Sequence, residues 1–244
     1  ISTLYKRSDY YETQINAFLN QTYAPEEIIF YQNENHFTFN LSKEMIAKAK
    51  NKNIIIKHVH SKDHNYKFHG RFTLPLISDS DYIAIFDDDT IPGNKWIENC
   101  LKLCKEKKCI LGANGRVLNK ECNWVNSSYS LGDGQAVLKD TFVDFVGHCW
   151  FFKRDWIYYM WMQEPNTLQN GEDIHFAASC FINGGIRCMV PKQVLSDRSD
   201  WGDSNPELGW DDNASWKKPQ HHDQRKEIIT FWAKKGWKGI LARE

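Results

Sequence analysis

The sequence predicts an open, mostly parallel α/β sheet with helices on both faces, and three observations carry that expectation. Apolar, β-branched runs (IIFY at 28–31, NIIIKHVH at 53–60, YIAIF at 82–86) alternate with amphipathic stretches through the first half. Strand and helix signals follow one another in turn, the pattern of a sheet covered on each side. A row of three acids, Asp87, Asp88 and Asp89, comes directly after YIAIF. Open sheets bind their ligands there, beyond the carboxyl ends of the strands.

Each element has its own signal. ISTLYK opens the chain as a short strand. Ile15, Phe18 and Leu19 mark one helical face, and YAPEE breaks that helix before IIFY. Leu41, Met45, Ile46 and Ala49 make LSKEMIAKAK amphipathic, and NIIIKHVH reads as a strand. RFTLPLIS predicts a helix broken or kinked at Pro75. After the acids, Trp96, Ile97, Cys100, Leu101 and Cys104 recur at helical spacing. In the second half, ILGANGRVL reads as a strand pair or a strand with a turn, and VDFVGHCWFFK (143–153) as one strong strand. GEDIHFAASCFINGG is a helix ended by a Gly pair, and HHDQRKEIITFWAKKGW a helix ended near Gly236. Between them, residues 197–219 are rich in Asp, Asn, Gly, Pro and Trp, which suits a functional loop or lid.

The totals exclude several classes. A chain of 244 residues fits one large domain with a sizeable core. Lys+Arg and Asp+Glu both total 31, so no global field favours nucleic acid or an anionic membrane. No apolar stretch is long enough to span a bilayer, and no signal peptide is visible. The chain begins without Met, which leaves room for a longer polypeptide. Of its 7 Cys, Cys100, Cys104 and Cys109 lie in a helical, Lys-rich stretch without zinc-ligand spacing, and reduced thiols in the cytoplasm are the expected state. N-x-S/T sequons at Asn20, Asn40, Asn126 and Asn213 keep a secretory lumen open as the alternative.

Three adjacent carboxylates repel one another, increasingly so as a site dries out, so a positive group should meet them. Side chains alternate along a strand, which predicts Asp87 and Asp89 on one side. Two carboxylates on one side suit an oxygen-seeking divalent ion, Mn²⁺ or Mg²⁺, with positions left for phosphate oxygens.

YIAIFDDDTIPGNKWIENCL resembles the D-x-D segment of GT-A-fold glycosyltransferases, in particular the family-2-like nucleotide-sugar enzymes. NQTYAPEEIIFYQNE, HGRF, VDFVGHCWFFKRD and NGEDIHFAASCFINGG follow in the same order as that family's segments, over about residues 1–190. The resemblance implies a Rossmann-like GT-A domain over 1–244, with a nucleotide-sugar half (about 1–115) and an acceptor half (about 116–244). It implies a metal-dependent transfer from a nucleotide sugar, expected to be UDP-linked, to a glycan or other hydroxyl acceptor, with inversion. Asp87 and Asp89 would hold the metal and the donor, with Asp88 in support, and Thr3, Tyr5, Arg7, Gln32 and Glu34 would form the nucleotide pocket. The family often has Asp where YQNEN stands here. Arg71 takes the place of a donor-facing Arg, and Asp173 that of the general base, with Glu172 orienting the acceptor or substituting for the base. His221 and His222 follow the Trp-rich loop, where a His completes many GT-A metal sites. Trp150, Trp161, Trp201, Trp210 and Trp216 offer flat faces for sugar rings, and His148 lies near the expected donor-sugar pocket.

Other classes fit less of the chain. Aspartate-nucleophile phosphatases need D-x-D-x-T, and DDDTIP brings Thr90 one residue early. A nucleotidyltransferase usually opens with a Gly-rich phosphate loop, absent from ISTLYKRSDYYE. A carbohydrate-binding module would explain the Trp content but not the ordered acids.

Overall fold

In the computed structural model, which describes residues 1–121 and 129–243, the first half alternates as its sequence pattern requires. β1 (Ser2–Leu4) leads to α1 (Tyr11–Leu19), β2 (Glu27–Asn33), α2 (Lys43–Asn51), β3 (Ile55–Ser61), β4 (Tyr82–Phe86) and α3 (Trp96–Lys107). The Ser42 side chain caps α2 by accepting from the Met45 backbone N–H at 3.2 Å. RFTLPLIS forms a 3₁₀ helix over Gly70–Ile77 that carries Pro75 inside it, rather than a kinked α-helix.

The second half adds β5 (Cys109–Leu111), β6 (Asn114–Val117), β7 (Tyr129–Leu131), β8 (Thr141–Val143), β9 (Phe145–Gly147) and β10 (Cys149–Lys153). After these come α4 (Ile157–Trp161), α5 (Glu172–Gly184), β11 (Arg187–Val190), α6 (His221–Lys234) and α7 (Ile240–Arg243). The stretch 143–153, expected to be one strand, serves three places instead. β8 lies at the edge of the main sheet, β9 joins a small sheet, and β10 enters the centre of the main one. Two residues make the breaks. The buried Asp144 carboxylate accepts from the backbone N–H groups of Leu118 and Ile240, both at 2.7 Å. His148 adopts a left-handed φ of 62°, which a strand cannot contain.

The main sheet runs β3-β2-β1-β4-β10-β5-β11-β8, and the small one β7-β6-β9. β3, β2, β1 and β4 are parallel, whereas β10 pairs antiparallel with β4 and β5. Period-two alternation then separates two cores. Phe86 joins Ile15, Phe18, Met45 and Trp96 beneath α1, α2 and α3. Ile83 and Ile85 face the other way, onto Phe72, Trp150, Phe176 and Trp232 from the 3₁₀ helix, β10, α5 and α6. The expected helices on both faces are present. The parallel strands β1, β2 and β4 therefore end together on one rim, and α5 begins close to it.

Of the N-x-S/T sequons, Asn126 lies outside the described residues, as does Cys122. The six described cysteines are free and buried. Among the described residues no helix is long and apolar enough to cross a membrane.

Candidate active site

The acidic row sits in a turn, not on a strand. β4 ends at Phe86, and the Thr90 N–H closes the turn onto the Asp87 carbonyl at 3.3 Å. Gln14 of α1, a buried amide on an otherwise apolar face, donates to the carbonyls of Asp87 and Thr90, both at 2.7 Å. Its carbonyl accepts from the Ser2 hydroxyl. The His148 carbonyl accepts from the Asp87 N–H at 3.0 Å, so the left-handed residue that divides β9 from β10 also anchors the turn.

The strand ends before the acids, so its alternation does not set their sides, and Asp87 stays near enough to Asp89 for its charge to act there. Asp88 and Asp89 converge instead on Arg7, whose Nη1 lies 2.5 Å from Asp88 and 3.0 Å from Asp89. The Arg7 guanidinium also grips Asp211 with Nε and Nη2, at 2.8 and 3.0 Å. Asp87 turns the other way, to Arg71. The positive groups that meet the acids are thus two arginines of the chain itself. They do not fully relieve the repulsion: burial, followed by the charge of Asp89, pushes the Asp88 carboxyl up to about 7 against the pull of Arg7. Asp89 is shifted upward as well, by burial and then by Asp87.

Arg71 links the two sides of the site. It is buried, pairs with Asp87, donates from Nη2 to Glu172 at 2.8 Å, and lies with Nη1 3.4 Å from the Thr3 hydroxyl. Its guanidinium carbon stands 4.6 Å over the Trp150 ring. Trp150 itself is buried and donates to the Val146 carbonyl at 3.1 Å. It is a platform for Arg71, not the open face for a sugar that the sequence suggested. Trp201 is likewise buried and Trp161 half-buried, whereas Trp210 and Trp216 are 69% and 50% exposed.

The acids of α5 lie at its first turn, after Gly171 at a left-handed φ of 75°. Burial and the neighbouring Asp173 push the Glu172 carboxyl up to about 7, against Arg71. Asp173 receives Arg225 of α6 at 2.5 Å. His221, expected beside the metal acids, starts α6 and is buried with its Nδ1 3.1 Å from the Asn170 amide. Burial, and then the charge of Arg225, lower its imidazole to about 4. His222 packs edge-on against it, with ring centroids 5.4 Å apart. Among the described residues no three His, Cys, Asp or Glu side chains form a group able to hold a metal. No such group joins His221 or His222 to Asp87 and Asp89 in this conformation: His221 lies against Asn170, with Arg225 and Asp173 acting on it.

His148 is the imidazole that acts on the acidic turn. It stands 3.8 Å from Asp203. Desolvation opposes its charge, but Asp203, Asp133, Asp87 and Asp89 raise it to about 9. Asp88 and Asp89, both shifted upward, supply carboxylate oxygens of the kind a hard divalent cation takes, although here they meet Arg7 and, among the described residues, form no three-ligand group.

Past the ends of β1 and β2, Tyr5 and Glu34 meet through Asn65, whose amide lies 3.3 Å from the Tyr5 hydroxyl and 2.7 Å from Glu34. Glu34 has a left-handed φ of 57°, and His36 packs edge-on to Tyr5 at 4.7 Å. Gln32 is buried beneath, with its amide engaged by the Phe37 carbonyl at 2.8 Å and by His58 at 3.0 Å. It supports the turn after β2 instead of facing a ligand. Sequence reasoning missed Gln14, Asn65, Asp203 and Asp211. Only Asp203 and Asp211 carried a signal, as acids within the polar loop.

The model of the family described as glycosyl transferase family 2 matches residues 1–161, well over half of the chain. The chain belongs to glycosyl transferase family 2. Solved structures with the same fold include S. aureus TarS, 15% identical over 79% of this chain and 34% of that one, with a TM-score of 0.50. A TarS fragment (1–349) in complex with UDP matches with 14% identity over 80% of this chain and 57% of that one, at a TM-score of 0.51. The mannosyltransferase PcManGT from Pyrobaculum calidifontis, in complex with GDP-Man and Mn²⁺, matches with 14% identity over 78% and 53%, at 0.50. This chain thus spans between about a third and somewhat over half of the length of these proteins. A search of curated protein sequences finds no match.

Proposed function

We propose that this family-2 domain transfers a sugar from a nucleotide sugar, UDP-linked in the first instance, to a hydroxyl of a glycan or other acceptor, with inversion and with Mn²⁺ or Mg²⁺ as cofactor. The observation that carries the reading is Arg71, which joins Asp87 of the acidic turn to Glu172 at the start of α5. Donor-side and acceptor-side acids thereby form one site.

The roles follow from position. Thr3, Tyr5 and Glu34 line the end of the first two strands, where a nucleoside fits. Asp87, Asp88 and Asp89 would hold the cation, which supplies charge stabilisation to the departing diphosphate. Arg7 and Arg71 are within reach of phosphate oxygens, for which a planar guanidinium is well shaped. Asp173, paired with Arg225 of α6, takes the proton of the acceptor hydroxyl as its oxygen attacks. A base on that side suits a single displacement, hence inversion. Glu172, tied to Arg71, holds the α5 acids in register. The free cysteines are in keeping with a cytoplasmic location.

A hydrolysis and thermal-shift screen over UDP- and GDP-sugars, with and without Mn²⁺, tests the reading. Metal-dependent release of nucleotide from one donor is the expected result. No binding of any nucleotide and no turnover of any nucleotide sugar would overturn it.

A further inference from the structure

We propose that Arg7 is an internal latch: it occupies Asp88 and Asp89 and, through Asp211, holds residues 209–211 over the acidic turn until a divalent cation with a diphosphate takes over those carboxylates. The proposal rests on the donor-site reading above.

The geometry has three parts. Arg7 reaches both acids with one nitrogen, at 2.5 and 3.0 Å, while its Nε and Nη2 hold Asp211 side-on at 2.8 and 3.0 Å. One guanidinium thus ties the turn after β4 to the segment 197–219. Gly209, at a left-handed φ of 81°, lies against the Asp89 carboxylate so closely that a Cβ there would collide with it. The acids are covered as a result, with side chains 11% (Asp88) and 18% (Asp89) exposed. A cation and diphosphate cannot reach them unless Arg7 and Gly209 move.

The two ends of the covering segment are held differently. Residues 199–204 are pinned to the chain after the acids by backbone bonds: Lys95 N–H to Ser199 at 2.8 Å, Gly93 N–H to Trp201 at 2.8 Å, and Ser204 N–H to Ile91 at 2.7 Å. From 206 onward, the charged tie to the turn is Arg7–Asp211. Asp211 is 34% exposed and Arg7 9%, so water reaches the tie from the Asp211 side. A divalent ion brings twice the charge of a guanidinium to the same oxygens at shorter range, and displaces it. Arg7, once released, is placed to pair with phosphate. Trp210 and Trp216 stand on the same segment with ring centroids 6.0 Å apart, so the latch also sets where this exposed aromatic pair lies relative to the site.

The test exploits a sign. Removing a carboxylate near a cation site ordinarily weakens cation binding, whereas loosening the latch strengthens it. Mn²⁺ is titrated calorimetrically in the presence of UDP and, separately, GDP, into the wild type and Asp211→Asn. Hydrogen exchange of residues 205–219 is followed in both metal-free proteins. The latch predicts several-fold tighter Mn²⁺ binding by Asp211→Asn, and faster exchange of 205–219 before any ligand is added. Unchanged or weaker Mn²⁺ binding, or wild-type exchange in the variant, overturns the latch and leaves the donor site standing. Failure of Mn²⁺ to bind the wild type with either nucleotide overturns the donor-site reading and the latch with it.

Discussion

Arg71 and Glu172 form a 2.8 Å ion pair between the 3₁₀ helix before β4 and the first turn of α5, both side chains being buried. A buried ion pair contributes little net stability against an apolar alternative, yet removing one partner strands the other charge. Arg71→Ala leaves both Asp87 and Glu172 without their guanidinium. It should cost about 3–5 kcal/mol in denaturant unfolding. Arg71→Lys, with a single ammonium in place of a fork, should recover only part of this.

Asp88 offers a pH signature. Its carboxyl is raised above the unfolded value to about 7, by burial and by Asp89. The folded state therefore holds a proton there that the unfolded state has released, and this contribution is present at low pH and lost as pH rises through about 7. Asp88→Asn, which never ionises, should gain thermal stability relative to wild type as pH increases from about 4 to about 7. A difference in melting temperature that is constant with pH would refute the burdened carboxylate.

Asp173 separates binding from chemistry. Asp173→Asn should leave binding of nucleotide and Mn²⁺ unchanged, because the proposed site for both is at Asp87–Asp89. Transfer should fall by about 10²–10⁴-fold, the range for a lost general base. Transfer that survives in the variant would move the base elsewhere, with Glu172 next in line.

Gly171 positions both α5 acids. It has a left-handed φ of 75°, and a Cβ there would collide with Ile228 of α6. Gly171→Ala should cost about 1–2 kcal/mol from the backbone. Repacking around Ile228 should add about 1–3 kcal/mol. Transfer activity should fall alongside the melting temperature, since the Asp173–Arg225 pair depends on the same α5–α6 contact.

Much of the first half was legible because its signals are local. The alternation of strand and helix up to α3 follows from apolar spacing, and Asp87–Asp89 declare themselves by coming straight after an apolar run. Arg71 and the Glu172–Asp173 pair stood out through a resemblance of ordered segments. The stretch 143–153 was misread as one strand because its breaks are not local. Asp144 is turned inward by backbone donors from residues 118 and 240, and His148 takes its left-handed backbone where two sheets diverge. Trp150 could not be told from a ligand-facing aromatic, since its role depends on which guanidinium lies over it.

By itself, the sequence determined the α/β class, the place of the acidic turn at a strand end, and the need for positive charge beside it. Those follow from periodicity and from the repulsion of adjacent carboxylates. Only the tertiary structure decided which positive groups answer them. Arg7 lies 81 positions from Asp88 and 204 from Asp211, and Arg71 lies 16 from Asp87 and 101 from Glu172; chain folding alone brings such charges within hydrogen-bond reach. The same holds for His221, which the resemblance placed beside Asp87 and Asp89 and which lies against Asn170 in the fold.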